Sequence, residues 1–165
     1  MANEKGFEIK KIGDQLHKVK TLKDSKGNII DHLITPLMVK SRPRDIMQVV
    51  IGALILAIPV GMTEETWNLG EELPMLNVLI LAVFGIIFIG FFVYLNYYKH
   101  ILKEFKLDFI KRIIMIYLTS LIVVGFFLII INKLPITSDT PVAIKRLLIV
   151  TFPCSMSGTI TDGFK

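Results

Sequence analysis

Runs of apolar residues long enough to cross a bilayer constrain this chain more than any other feature. Ile46 to about Thr63, Met75 to Tyr97 and Ile113 to Ile131 are nearly free of charge, and a fourth, more mixed run follows Thr140-Pro141. A hydrocarbon core of about 30 Å needs about 20 helical residues. The single compact core of a soluble chain of 165 residues has no use for several such runs. Within them only a helix can satisfy its own backbone polar groups. The expectation is an all-α membrane protein with four transmembrane helices at about 45–66, 75–97, 110–131 and 141–162, preceded by a short N-terminal β-hairpin. The first run reaches spanning length only by including residues near Glu64 and Trp67.

Charge is segregated. Lys, Asp and Glu crowd residues 1–45, and the formal net charge is +5. In a soluble protein that excess points to nucleic acid or an acidic partner. Here the positive residues gather in particular connections, and no basic patch with interleaved aromatics exists, so nucleic acid is set aside. Lys40, Arg42 and Arg44 precede the first run. Lys99, Lys103, Lys106, Lys111 and Arg112 form a basic amphipathic linker between the second and third, expected to lie on anionic lipid head groups. The connection 63–74 carries Glu64, Glu65, Glu71 and Glu72 and no basic residue, and it reads as a loop. The positive-inside rule therefore puts both termini and the 99–112 linker in the cytoplasm of a multi-pass protein of the plasma or inner membrane. Lys133, Lys145 and Arg146 fall on the outer side and weigh against this. Trp67 at one level and Tyr94, Tyr97 and Tyr98 at the other mark the interfaces.

Residues 1–40 form a separate polar segment. His17–Lys23 and Ile29–Thr35 flank the turn-forming sequence Asp24-Ser25-Lys26-Gly27-Asn28 and suit a hairpin. A lone hairpin is marginal in water, so it needs a surface to pack on. Residues 41–165 make up the membrane domain. Ser41 and Pro43 suit a helix start, and Thr140-Pro141 repeats that pattern.

Intramembrane polar groups are functional candidates because burying them is costly. The second and third runs are nearly blank, with Asn77 and Asn96 near the ends of one and Tyr117, Thr119 and Ser120 in the other. The first run carries Ala53, Ala57 and Gly61 at four-residue spacing, a stripe that lets another helix approach closely. The fourth carries Thr151, Ser155 and Thr159 on one stripe and Cys154, Gly158 and Asp162 on the next. The segments around Pro59 and Pro153 are alike: each proline follows apolar residues, then small and hydroxyl residues, then a carboxylate. By the topology they run in opposite directions, as the paired interrupted helices of inverted-repeat transporters do. Prolines and small residues are also common in membrane helices for packing alone.

On the functional reading Pro59 and Pro153 break their helices and free carbonyls. These, with Thr63, Ser155, Ser157, Thr159, Glu64, Glu65 and Asp162, line a path for a monovalent or divalent cation, because hard cations prefer oxygen ligands. The alternatives are an exposed outer rim for Glu64 and Glu65, or pairing with Lys145 and Arg146, and a solvated helix end for Asp162. Four thin helices fill their own core, so a path requires a homo-oligomer. A membrane scaffold or sensor that binds a cytoplasmic partner, and a membrane-embedded lipid-modifying enzyme, are the competing readings.

No nucleophile elbow, HExxH, phosphate loop or Ser/His/Asp set is present, so no catalytic residue, cofactor or metal site is expected. Cys154 has no neighbour in sequence that would activate a thiolate. His17 and His32 lack partner cysteines, and His100 reads as solvated in the basic linker.

The segments Pro36–Val39, Arg42-Pro43-Arg44-Asp45, Gly52–Pro74 (GALILAIPVGMTEETWNLGEELP) and Phe152–Asp162 (FPCSMSGTITD) resemble those of a bacterial and archaeal family of integral membrane proteins of unknown function. The likeness covers most of the chain. It implies a four-helix membrane protein and no activity.

Overall fold

The computed structural model describes residues 7–12, 15–23, 29–37, 43–98 and 105–164. The chain divides into two compact units, Met1–Lys40 and Ser41–Lys165. The turn at 24–28, the Ser41 cap and His100 with the linker lysines 99 and 103 lie outside the described residues.

In the first unit, β1 (Phe7–Ile12), β2 (Gln15–Lys23) and β3 (Ile29–Leu37) form an antiparallel sheet in the order β1-β2-β3. The two segments expected to pair lie in β2 and β3, with Val19 opposite Ile34 and an irregularity at Leu22/Lys23. β1 pairs along the other edge of β2, Phe7 opposite Lys20 and Ile12 opposite Gln15. The third strand matters because an isolated two-stranded ribbon is barely stable.

The second unit is helical: α1 (Pro43–Gly61), α2 (Glu64–Glu72), α3 (Met75–Val93) running into a π-helical turn at Tyr94–Tyr98, α4 (Lys106–Ile130) and α5 (Thr140–Gly163). Three of these are long and apolar enough to cross a membrane: Pro43–Gly61, Met75–Tyr98 and Lys106–Ile130, with mean hydropathies of 1.7, 2.9 and 2.8.

Three expectations are corrected. The 63–74 connection is not a loop. It holds α2, so the first membrane helix ends at Gly61 and the chain restarts at Glu64, whose carboxylate and that of Glu65 suit a positive helix N-terminus. The 106–112 part of the basic linker is the first turns of α4. The cap of α5 is Asp139, whose Oδ1 accepts from the Val142 backbone N–H at 3.1 Å; Thr140 instead donates to the Ile136 carbonyl.

Side-chain contacts give the helix directions. Gln48 of α1 donates to the Phe164 carbonyl just after α5, and Gly52 faces Gly158, so α1 and α5 are antiparallel. Arg112 meets Asp162, and Gly125 meets Leu147, so α4 and α5 are antiparallel too. Tyr97 reaches Asp162 while Gly85 faces Phe152 and Ser155, so α3 runs with α5. The result is an up-down bundle with α5 at its centre, packed against α1, α2, α3 and α4.

The buried residues follow the four-residue repeat of a helix face. They are Asp45, Val49, Ala53, Ala57 and Gly61 on α1, with Gly52 beside them, and Arg112, Ile116, Ser120, Val124 and Leu128 on α4. Ala53, Ala57, Val124, Leu128, Val150 and Cys154 form the middle of the core. The opposite faces expose Ile51, Ile55, Leu79, Phe91, Ile122 and Phe126, an apolar surface suited to lipid.

Candidate functional site

At the end of the bundle where α1 and α4 begin and α3 and α5 finish, a charged cluster lies inside the protein. Each member comes from a different helix end. Asp45 is in the first turn of α1 and Arg112 two turns into α4. Asp162 is at the end of α5, and Tyr97 is in the π-helical turn after α3. Arg112 and Asp162 are both fully buried, and Asp45 is 2% exposed. The guanidinium grips Asp162 with a fork: Nη2 donates to Oδ2 at 2.7 Å and to Oδ1 at 3.0 Å, and Nε donates to Oδ2 at 3.0 Å. Its Nη2 is also 3.6 Å from Asp45 Oδ2. Its Cζ stands 3.9 Å from the centre of the Tyr97 ring, and the Tyr97 hydroxyl donates to the Asp162 backbone carbonyl at 2.7 Å. Tyr98 is fully buried beside this, edge-on to Phe109 at 5.2 Å.

The bidentate fork and the aromatic face are what a guanidinium offers and an ammonium does not. Desolvating such charges costs several kcal/mol per ion, and only good geometry offsets it.

The polar stripe of α5 is buried as well. Thr151, Ser155 and Thr159 are at most 1% exposed. Each hydroxyl donates to its own helix: Thr151 to the Leu147 carbonyl at 2.7 Å, Ser155 to Phe152 at 2.9 Å, Thr159 to Ser155 at 2.6 Å. Ser157 is half-buried, and its carbonyl accepts from Thr161 at 2.8 Å. Such bonds let hydroxyls sit in an apolar interior while each oxygen can still accept. α5 runs on through Pro153, and α1 continues past the exposed Pro59 to Gly61.

The small residues bring α1 and α5 into close approach. A Cβ on Gly52 would run into the Thr161 side chain and stand 2.8 Å from Gly158 Cα. A Cβ on Gly158 would stand 3.2 Å from the Val49 carbonyl oxygen and 3.3 Å from Ser120 Oγ. Ala53, Ala57 and Gly61 are buried in this face, and a Cβ on Gly61 would press on the Phe127 ring.

The other end of the bundle is organised around α2. Thr63 Oγ1 donates to the Val60 carbonyl at 2.9 Å and lies 2.8 Å from Thr66 Oγ1, while Trp67 Nε1 donates to the Gly61 carbonyl at 2.9 Å. Arg146 pairs with Glu71 at 2.7 Å and donates to the Lys133 carbonyl. Lys145 donates to the carbonyls of Glu71 and Leu73, neutralising the negative end of α2. The Lys133 ammonium sits 3.7 Å over the Trp67 ring. Glu64 and Glu65 are exposed, and the acidic partner of Arg146 is Glu71.

The structure therefore brings Ser155, Thr159 and Asp162 together along buried α5. Thr63, Glu64 and Glu65 stand at the opposite end from Asp162. Arg112, Asp45 and Tyr97 were not expected at a site. Arg112 follows Lys111 and so reads as part of a basic linker. Its signal is the stripe it shares with Ile116, Ser120, Val124 and Leu128, extended one turn back from the apolar run. Among the described residues, no group of three or more His, Cys, Asp or Glu side chains is placed to hold a metal ion.

No curated protein and no solved structure matches the chain. The family described as Putative integral membrane protein (DUF2391) matches over residues 12–161. With apolar helices of spanning length and a family match over most of its length, this chain is an integral membrane protein and belongs to that family.

Proposed function

We propose that the protein is a membrane transporter or channel for cations, working as a homo-oligomer, with α1 and α5 lining the path. The observation that carries this reading is the inverted polarity of the bundle. Its most polar long helix, α5, is the one surrounded by the others, while α1, α3 and α4 turn apolar faces outward. Simple anchoring in lipid needs no buried hydroxyl stripe ending in a carboxylate. Buried polar groups in membrane helices mark substrate and ion routes.

On this reading α5 is a fourth span. Its 24 residues extend roughly 36 Å at about 1.5 Å each, enough to cross. Shielding by its neighbours removes the need for high hydropathy. Both termini then lie on the Asp45 side, which we assign to the cytoplasm of the plasma or inner membrane; Arg44, Lys106 and Lys111 stand at that end. Ser155, Ser157 and Thr159 serve as oxygen ligands, Asp162 as the inner carboxylate, and Thr63, Glu64 and Glu65 as the outer mouth. The reading assigns no catalysis and no cofactor.

Flux of K⁺, Na⁺, Ca²⁺ and H⁺ into liposomes holding the purified protein tests it, beside a Glu64→Gln/Glu65→Gln variant that leaves the Arg112–Asp162 pair intact. Flux in the wild type, lost in the folded variant, supports the path and names the ion. No flux for any ion across a range of voltage and pH, with the oligomer intact, sinks it. The separate sheet of Met1–Lys40 favours the second reading, a membrane scaffold or sensor whose sheet binds a cytoplasmic partner.

A further inference from the structure

We infer that the Arg112–Asp162 pair is a latch: it holds the Asp45 end of the bundle shut, and releasing it opens a water-filled crevice as deep as Ser120. The inference stands on the geometry of the cluster and does not depend on transport.

One guanidinium ties together the ends of all four long helices. It holds Asp162 of α5 by the bidentate fork, approaches Asp45 of α1 and packs on Tyr97 after α3, while belonging itself to α4. The long helices carry no comparable charged tie further along their lengths among the described residues. Above the cluster the contacts are apolar, or they are the glycine crossing of Gly52 and Gly158. In lipid such contacts gain little from exclusion of water, so packing and polar ties hold helices together. The π-helical turn at Tyr94–Tyr98 places Tyr97 on the cluster, and π-helical segments recur at functional sites.

Ser120 is the second observation. It lies two turns beyond Arg112 on the same stripe of α4, is fully buried and faces Gly158. Its hydroxyl has no hydrogen-bond partner among the described residues. A buried hydroxyl without a partner disfavours the closed arrangement, and water entering from the Asp45 end would satisfy it. The closed state is thus held by charge at the rim and weakened by an unsatisfied group just inside it, the arrangement of a two-state element.

The test is reaction of single cysteines with a charged, water-soluble thiol reagent added from the Asp45 side of proteoliposomes. Ser120→Cys and Ser155→Cys are each placed in a Cys154→Ala background. With the latch intact both react slowly. Asp162→Asn keeps the shape and removes the charge. It should raise the rate at Ser120→Cys by roughly tenfold or more, the gain expected when a minor open state becomes a major one. The reversed pair Arg112→Asp/Asp162→Arg restores the ion pair but sets a carboxylate near Asp45, so it should slow the labelling only part of the way back. Should Asp162→Asn fail to fold, Tyr97→Phe removes only the hydroxyl and should give a smaller rise. Equal rates in wild type, Asp162→Asn and Tyr97→Phe would overturn the latch, as would faster labelling from the opposite side alone. Absent flux with a latch-dependent change in labelling leaves the latch standing and removes the transport reading.

Discussion

Arg112 shows how one residue can carry conflicting messages. As an Arg beside Lys111 it suits a lipid-facing linker, yet it is fully buried with its fork on Asp162. Removing one partner leaves the other charge stranded. We expect Arg112→Ala or Asp162→Ala to cost about 3–5 kcal/mol in a reversible unfolding experiment in detergent. Replacing both with Arg112→Met/Asp162→Leu should cost far less than either single change, since a buried ion pair adds little over an apolar pair of similar volume. That outcome would mean that the pair specifies which helix ends meet and adds little net stability over an apolar pair, while either charge left alone still opens the rim. The glycines separate in the same way. Gly52→Ala meets backbone and should cost about 1–3 kcal/mol, whereas Gly125→Ala meets only the end of Leu147 at 3.5 Å and should be near neutral. Thermal melts of the two variants side by side check this.

At the scale of elements, α2 is the clearest case of structure that local sequence understates. Nine residues with four carboxylates and a glycine look like an acidic loop. The segment becomes a helix because α5 supplies what it lacks. Lys145 caps its carbonyl end, and Arg146 reaches the Trp67 carbonyl and the Glu71 carboxylate, its side chain lying where Gly70 leaves room for it. Arg146→Ala should speed hydrogen exchange across 64–72 without unfolding α5. Glu71→Ala should cost no more than about 1 kcal/mol, since the Glu71 side chain is 61% exposed. α5 is the converse case. Its mixed polarity keeps it below the hydropathy of the three spanning helices, and on the proposed reading it still crosses because its central position replaces lipid with neighbouring helices.

For the whole molecule, the division at residue 40 predicts that the helical unit stands alone. A chain lacking residues 1–40 should insert and keep the helix content of 41–165, with far-ultraviolet circular dichroism in detergent as the check. Loss of helix would show that the sheet is needed for assembly. The sequence by itself determined the membrane class, the apolar runs and the small-residue face of α1. These are properties of hydropathy and helical period, written along a single segment. It also singled out Ser155, Thr159 and Asp162, as lining for a cation path; their burial comes from the packing of α5. The convergence of Asp45, Tyr97, Arg112 and Asp162 was decided by tertiary structure alone. These residues are up to 117 positions apart (45 to 162), and no local period links them. Only the antiparallel packing of α1 and α4 on α5 brings charges at separate helix ends into one buried cluster, because in lipid each needs a partner that its own helix cannot supply.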